Sequence, residues 1–243
     1  MRLLIALQFL TVIPVRIARK FGPADLAGSM VYFPLIGAFL GLILAALHAV
    51  AAPVLPGPVV GVILTGALAA LTGGLHLDGL ADTADAFFSG KSIPEKLRIM
   101  KDSRIGAMGA SAVCLVLMLK AALFASLDSS TAFAALLLAP VAGRYCLLLP
   151  AYAFRYGRDR GTGKAFIGGV SLRTILAASA VSLLLSAGLL RLPGAASMVL
   201  AAAAALAAGR ALSKGLGGIT GDTLGAVNEL SEMAFLVSLI ILR

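Results

Sequence analysis

The stretch GGLHLDGLADTADAFFSGKSIPEKLRIMKDSRIGAMG, residues 73–109, concentrates charge in a chain that is otherwise poor in it. It holds five of the eleven acidic residues. Asp78, Asp82 and Asp85 are spaced i, i+4 and i+7, which places them on one face of an α-helix. Like charges at this spacing repel one another, so a positive group is expected in front of them. Three carboxylates favour a divalent cation such as Mg²⁺, although a solvated acidic helix face has the same spacing.

The sequence on either side of this stretch is apolar. Of the 243 residues, 60% are hydrophobic and only 13% are charged, whereas soluble domains have about 25% charged residues. The apolar runs are continuous and rich in Ala and Leu, so they lack the alternation of a β-barrel strand. We therefore predict an all-α fold, a polytopic integral membrane helical bundle in which residues 1–243 form a single membrane-embedded catalytic domain.

About seven apolar segments are long enough to cross a bilayer, which takes about 20 helical residues. We expect these transmembrane helices near 31–52, 59–75, 105–127, 131–152, 172–191, 195–212 and 224–242. Residues 1–20 have too short an apolar run to span, and Pro14 with the basic residues after it is unlike a signal peptide. An N-terminal interfacial or re-entrant segment fits them better.

The distribution of lysine and arginine predicts the orientation of the chain. With the N-terminus inside, sixteen of the twenty basic residues lie in or beside the cytoplasmic connections. We therefore expect a multi-pass protein of the bacterial cytoplasmic (inner) membrane, with the acidic stretch facing the cytoplasm. The net charge of +9 is then explained by topology, and no nucleic-acid partner is expected. Lys120, near the outer end of its span, is expected to snorkel to the interface.

A second acidic stretch, GGITGDTLGAVNELSE at residues 217–232, repeats part of the first. Both fit the pattern GG-x3-D-x-L-x4-[D/E], with Asp222 in the place of Asp78 and Glu229 in that of Asp85. Asp222 and Glu229 are spaced i, i+7 and so also share a helix face. Two acidic helix starts at one membrane face can share a metal cluster. Chance is the other explanation for the similarity of the two stretches, because a chain with 27 glycines contains many glycine pairs.

Basic residues in a long connection are candidate ligands for a phosphate group. The connection 153–173 interleaves glycines with Arg155, Arg158, Arg160 and Lys164. Glycine lets backbone N–H groups approach an anion, and arginine pairs with phosphate oxygens in a fork. A flexible loop that only sets the topology has the same composition, so both interpretations stay open.

Three further sites carry polar residues that suggest chemistry. Lys101 and Arg104 flank Asp102 in the segment KDSR, where they face a phosphate or form a salt-bridged surface turn. Arg144 lies inside an apolar span, where a charge is costly and usually faces a polar site. His76 is a candidate general base or metal ligand, or a hydrogen-bonded interfacial residue. Carboxylates, cations and a membrane scaffold together suggest metal-assisted phosphoryl transfer.

The chain resembles the adenosylcobinamide-GDP ribazoletransferases, also called cobalamin synthases, along nearly its whole length. The segments that carry the resemblance are LQFLTVIPV (7–15), YFPLIGAFLG (32–41), GGLHLDGLADTADA (73–86), IMKDSRIGAMG (99–109) and GGITGDTLGAVNELSE (217–232). The motif at 73–86 is long and specific. The resemblance implies an enzyme for the last step in the assembly of the cobalamin nucleotide loop.

The resemblance also implies the cofactor, the substrates and the reaction. The cofactor is Mg²⁺, and the substrates are adenosylcobinamide-GDP and α-ribazole or its 5′-phosphate. A ribazole hydroxyl attacks the cobinamide-linked phosphate and GMP leaves, at an active site that faces the cytoplasm. The lipid bilayer is the other expected partner, and a homo-oligomer stays open.

The site residues expected on this basis fall into three groups. The predicted metal ligands are Asp78, Asp82, Asp85, Asp222 and Glu229, with Asp102 as the alternative to the last two. The predicted diphosphate ligands are Lys101, Arg104, Arg144, Arg155, Arg158 and Lys164. The predicted catalytic residue that deprotonates the hydroxyl is Asp82, Asp102 or His76.

Two other functions are compatible with part of the pattern. A CDP-alcohol phosphotransferase of phospholipid synthesis also begins its motif with Asp-Gly, as at Asp78, but has arginine where this chain has Asp82. Similar chemistry can produce so short a match by convergence. A secondary transporter carries charges at the membrane midplane, where this chain has little beyond Arg144.

Overall fold

The computed structural model describes residues 1–18, 20–158, 161 and 163–243, and within these it contains helices and no strand. The helices are α1 (Arg2–Leu10), α2 (Pro23–Ser29), a 3-10 turn (Met30–Tyr32), α3 (Phe33–Ala51), α4 (Gly57–Thr72), α5 (Leu75–Phe87), α6 (Ile93–Ile99), α7 (Ala107–Ala125), α8 (Ala132–Cys146), α9 (Leu148–Ala153), α10 (Gly163–Ile167), α11 (Leu172–Leu216) and α12 (Gly221–Leu242). This confirms the predicted all-α fold.

Among the described residues, five segments are long and apolar enough to cross a membrane. They are Pro23–Ala51, Ala107–Ala125, Ala132–Ala153, Leu172–Leu216 and Gly221–Leu242. Helix α4 is apolar but has only 16 residues, and it meets α5 at a bend of 92°. We treat α4 as the apolar arm of this pair and α5, which carries the acids, as lying outside the spans.

Helix α11 is one continuous segment of 45 residues with a break in the middle. A straight helix of that length is about 67 Å long, twice the thickness of a bilayer core. The backbone is non-helical at Arg191, with φ 53° and ψ −140°. Gly194 contacts the carbonyl of Ser186, which a straight helix would hold about 12 Å away. The chain therefore reverses here, and counting its two arms separately raises the five segments to six. Helix α4, with 16 residues, is the shorter segment that the sequence predicted as a further span.

The same reversal is seen where α11 packs against the end of α8 and α9. The hydroxyl of Tyr145 hydrogen-bonds to that of Ser179 in the first arm, over 3.0 Å. Gly209 in the second arm packs against Pro150. Both ends of α11 therefore lie at the same end of the bundle as the C-terminal end of α8.

Helix α1 is the predicted short N-terminal segment. Its nine residues extend over about 14 Å, too little to cross a bilayer. Ile5, Ala6 and Leu10 are buried, whereas Leu3 and Leu4 are exposed. One side of α1 therefore packs on the bundle and leaves the other side free.

Two glycine pairs start the two acidic helices. Gly73 and Gly74 have φ of 61° and 70°, and Gly217 and Gly218 have φ of 78° and 154°. These left-handed conformations favour glycine, since a side chain at positive φ is strained. They end α4 and α11 and redirect the chain into α5 and α12. The two acidic stretches therefore share a structure as well as a pattern.

Helices α5 and α12 approach each other closely through glycine. A Cβ added to Gly79 of α5 would lie 2.6 Å from the carbonyl oxygen of Asp222. A Cβ added to Gly225 of α12 would lie 3.1 Å from the carbonyl oxygen of His76. The two acid-bearing helices thus pack backbone to backbone, which brings Asp78 and Asp222, 144 positions apart in the sequence, into one site.

Candidate active site

The predicted acidic face exists on α5, where Asp78 is exposed and Asp82 and Asp85 are half-buried. Asp78 and Asp82 form no side-chain hydrogen bond or ion pair with any described residue. Burial, together with the charges of Asp222 and Asp78, raises the pKa of Asp82 to about 7. Negative charge is therefore crowded at this face, as it is where a cation binds.

Asp85 uses both carboxylate oxygens to hold the start of α7. It accepts hydrogen bonds from the backbone N–H of Gly106, over 2.7 Å, and of Gly109, over 2.8 Å. A Cβ at either glycine would collide with this carboxylate. The prediction of a metal ligand did not anticipate this anchoring role, for which the sequence signal is the pair of glycines at 106 and 109.

Asp222 reaches the acidic face from the first turn of α12, where it pairs with Arg158. Nη2 of Arg158 donates to Oδ2 of Asp222 over 2.7 Å. Two backbone bonds of 2.9 Å fix the loop that carries this arginine, from Gly157 N–H to Ile219 and from Ile219 N–H to Arg155. Within the predicted diphosphate loop, Arg158 is therefore a residue that the structure joins to the acids.

A pocket of about 690 Å³, including the solvent at its mouth, opens beside these acids. Asp78 from α5 and Asp222 from α12 form part of its wall. Phe9, Phe33 and Phe166, from α1, α3 and α10, form another part. The rings of Phe9 and Phe166 are 4.5 Å apart between centroids. The pocket thus has a charged side and an aromatic side.

The carboxylates fit a metal site that the substrate completes. No three His, Cys, Asp or Glu residues of the described chain are grouped closely enough to hold a metal by themselves. Asp85 is occupied at both carboxylate oxygens by backbone N–H groups, whereas Asp222 accepts from Arg158 through Oδ2, and Asp78 and Asp82 are open. Mg²⁺ usually takes one or two protein carboxylates and completes its octahedron with water and substrate phosphates. Asp78, Asp82 and Asp222 are suited to such a shared site.

Glu229 and Arg144 lie elsewhere, in a buried ion network. Nζ of Lys120, which is 3% exposed, donates to Glu229 over 2.5 Å and to Glu232 over 2.6 Å. Arg144 is 1% exposed and pairs with Glu232. The prediction that Lys120 snorkels is wrong, because two acids hold it inside the bundle.

This network gives Glu229 and Arg144 partners other than those predicted. Glu229 is neutralised by an ammonium group, so we leave it out of the proposed metal site. Arg144 is enclosed and paired, so we leave it out of the diphosphate site. A sequence signal for the network existed, since acids inside the last span need buried cations, and Lys120 and Arg144 are the basic residues predicted to lie within spans.

The KDSR segment forms the salt-bridged turn that was one of its two interpretations. Arg104 donates to both oxygens of Asp102, from Nε over 3.0 Å and from Nη2 over 2.7 Å. These bonds lower the pKa of Asp102 to about 2, which makes it a weak base. Lys101 is exposed beside it, and the turn ends two residues before Gly106, which Asp85 binds.

Of the remaining predicted residues, His76 is the one among the described lining residues of the pocket. His76 is 4% exposed, and its Nε2 is buried without a hydrogen-bond partner in the described part of the chain. Arg155 is exposed. Lys164 is exposed at the start of α10. Arg160 lies outside the described residues.

Comparison with known proteins agrees with the resemblance drawn from the motifs. The family model of cobalamin-5-phosphate synthase matches residues 2–240. The adenosylcobinamide-GDP ribazoletransferase of Klebsiella pneumoniae (strain 342) is 39% identical over 239 residues, which cover 97% of each chain. That of Geotalea daltonii is 37% identical over 237 residues, 97% of this chain and 95% of the relative. No solved structure matches the chain. The chain therefore belongs to the cobalamin-5-phosphate synthase family.

Proposed function

We propose that this protein completes the nucleotide loop of cobalamin by joining adenosylcobinamide-GDP to α-ribazole or to α-ribazole 5′-phosphate. Membership of the cobalamin-5-phosphate synthase family, and relatives named ribazoletransferases, support a group-transferring enzyme of cobalamin assembly. The main structural support for the proposal is that the first turns of two acid-bearing helices, α5 and α12, lie next to each other. Helix α5 brings Asp78, and α12 brings Asp222, into the wall of one pocket.

The proposed reaction is the transfer of a substituted phosphate group. A ribose hydroxyl of α-ribazole attacks the phosphorus of the cobinamide-linked phosphate, and a new P–O bond forms. The P–O bond to GMP breaks, GMP leaves with the bridging oxygen, and the hydroxyl proton passes to a base. The product is a phosphodiester, adenosylcobalamin or its 5′-phosphate. Positioning and charge neutralisation account for most of the catalysis in such reactions.

Mg²⁺ is the proposed cofactor, with Asp78, Asp82 and Asp222 as the residues that would hold it. When bound, it would neutralise the diphosphate and polarise the phosphate that is attacked. Asp82 is the proposed base for the hydroxyl, because it lies between Asp78 and Asp85 at the middle of the acidic face. Asp85 has a structural role at this face, because it accepts hydrogen bonds from backbone N–H groups at the start of α7.

Arg158 is the proposed ligand of the diphosphate. It already lies against Asp222, and its buried Nε has no hydrogen-bond partner among the described residues. An arginine with free donors binds phosphate oxygens strongly. Lys164, from the same connection, is exposed near Gly163 and Gly221, which both line the pocket. It is the proposed second cation.

The several long apolar helices make this a multi-pass membrane protein. We propose the bacterial cytoplasmic membrane as its location, with the pocket on the cytoplasmic side. The support is the excess of lysine and arginine in the connections at that end. Charged diphosphate substrates, which do not cross a bilayer, are made in the cytoplasm.

The deciding experiment is a transfer assay on the full-length protein in lipid nanodiscs. We expect a cobalamin product and GMP in equal amounts from adenosylcobinamide-GDP and α-ribazole, with the rate restored by Mg²⁺ after EDTA treatment. CDP-diacylglycerol with a polar alcohol serves as the competing substrate pair. Transfer from that donor alone would reassign the protein to the CDP-alcohol phosphotransferases. Uptake of substrate into proteoliposomes without any transfer would indicate a transporter.

A further inference from the structure

The aromatic side of the pocket is not explained by phosphate chemistry. Three phenylalanine rings from separate helices meet there, with centroids of Phe9 and Phe33, and of Phe33 and Phe166, each 6.1 Å apart. Phe9 keeps 38% of its surface exposed, whereas Phe33 and Phe166, which pack against it, are 1% and 4% exposed. An exposed ring held by buried rings beside a charged site is typical of a ligand pocket, where apolar walls bind a ring and a few polar groups orient it.

Among the described lining residues of the pocket, the polar side chains are too few for a purine. Three of these residues have polar side chains, namely His76, Asp78 and Asp222. Guanine has several donors and acceptors along its edge, and each one left without a partner in an apolar pocket costs about 1–3 kcal/mol. A benzimidazole has one free ring nitrogen and otherwise apolar edges. The described lining of the pocket therefore suits a benzimidazole better than a guanine.

The position of the carboxylates agrees with this choice. Asp78 and Asp222 line the same pocket as the rings, so a nucleoside whose base lies on the phenylalanines has its ribose next to the acids. His76 lines the same pocket two residues before Asp78 in α5, and its Nε2 is buried with no partner in the described chain. It is a polar atom available to the one ring nitrogen.

We propose that the cluster of Phe9, Phe33 and Phe166 is the base subsite for the acceptor nucleoside. It takes a flat, bicyclic and mostly apolar heteroaromatic ring, the benzimidazole of a ribazole, and His76 Nε2 contacts the free ring nitrogen. This inference rests on the proposed function and adds the place at which the base of one substrate binds. The guanine of the other substrate binds outside this pocket.

Equilibrium binding of α-ribazole to the full-length protein in nanodiscs tests the subsite without turnover. The variants Phe9→Leu and Phe166→Leu keep apolar bulk and remove the ring. Phe39→Leu is the matched control, because Phe39 is 39% exposed and lies on α3 outside the pocket. We expect about tenfold weaker ribazole binding in the two pocket variants, from the loss of about 1.4 kcal/mol of aromatic contact. The control binds like the unchanged protein.

Ring chemistry supplies a second readout. His76→Leu should weaken binding of α-ribazole but leave binding of an α-ribosyl indole, which lacks the accepting ring nitrogen, unchanged. Steady-state kinetics should show a raised KM for ribazole and an unchanged KM for adenosylcobinamide-GDP in Phe9→Leu. That unchanged KM also shows that the variant is folded.

The outcomes separate the subsite from the reaction. Normal ribazole binding in both phenylalanine variants, or a raised KM for adenosylcobinamide-GDP alone, would overturn the base subsite while the transfer activity stands. If the unchanged protein transfers nothing and binds no ribazole, the proposed function fails and the subsite fails with it.

Discussion

Arg158 donates from Nη2 to Oδ2 of Asp222 over 2.7 Å, and this bond joins the 155–158 loop to the first turn of α12. A second donor of the same side chain, the buried Nε, has no partner among the described residues. One arginine therefore both offsets the charge of an acid at the site and keeps donors for a ligand. This arrangement favours an anionic substrate that enters next to the carboxylates.

Replacing this arginine tests its role in diphosphate binding. In Arg158→Ala we expect the KM for adenosylcobinamide-GDP to rise about 10–100-fold, since hydrogen bonds to charged groups contribute about 1.5–3 kcal/mol. The KM for α-ribazole should change little. Arg173→Ala removes an exposed arginine at the start of α11 and serves as the control in the same nanodisc assay. Equal effects of the two variants would mean that Arg158 acts only through overall charge.

Asp82→Asn should abolish transfer while the protein stays folded. The amide cannot accept the hydroxyl proton and is a weaker metal ligand, so we expect kcat to fall at least about 100-fold. The change is isosteric and relieves crowding of negative charge, so the melting temperature should be the same or higher. Initial rates and thermal unfolding in detergent give the two readouts. Near-normal turnover would remove Asp82 from the active site.

Asp85 should respond differently from Asp82, although both lie on the same face. Asp85→Ala removes the acceptor for two N–H groups at the start of α7, a loss comparable to that of a helix cap, about 1–2 kcal/mol. We expect a lower melting temperature and a kcat, measured on folded protein at low temperature, that falls far less than in Asp82→Asn. A loss of kcat with unchanged stability would instead support the metal-ligand role that the sequence predicted.

The close approach of α5 and α12 gives a test on glycine. In Gly79→Ala the new methyl group would lie 2.6 Å from the carbonyl oxygen of Asp222 and 2.9 Å from its Cα, so the helices must separate. We expect both lower stability and loss of transfer, because Asp78 and Asp222 move apart. Gly66→Ala on α4 is the control, since nothing lies within 4 Å of its added Cβ. That variant should be as stable as the unchanged protein or more so.

A normal melting temperature and normal transfer in Gly79→Ala would contradict the described packing. Loss of stability in Gly66→Ala to the same extent would show that any added methyl group disturbs the bundle. Thermal unfolding of the two variants side by side gives the melting temperatures, and the transfer assay on Gly79→Ala gives the activity.

The sequence was informative where structure follows from local pattern. The spans and the acidic helix α5 were predictable, because hydropathy and a 3.6-residue period act over short distances. The pairing of Lys120 with Glu229 and of Arg158 with Asp222 was not, since partners 109 and 64 residues apart meet only through helix packing. The contact of Asp85 with the start of α7 was not predictable for the same reason, because its partners are backbone groups of another helix. The aromatic pocket is likewise assembled from α1, α3 and α10.

The buried network provides a test of stability that is separate from the active site. Lys120→Met leaves Glu232 paired with Arg144 and leaves Glu229 with no cation partner among the described residues, and breaking a buried pair in this way costs about 3–5 kcal/mol. We expect a much lower free energy of unfolding in mixed micelles. The double variant with Glu229→Gln should recover much of the loss, because it removes the uncompensated charge. Lys91→Met, at an exposed position, is the control. Equal stability of Lys120→Met and Lys91→Met would show that the acids of α12 are protonated and need no cation.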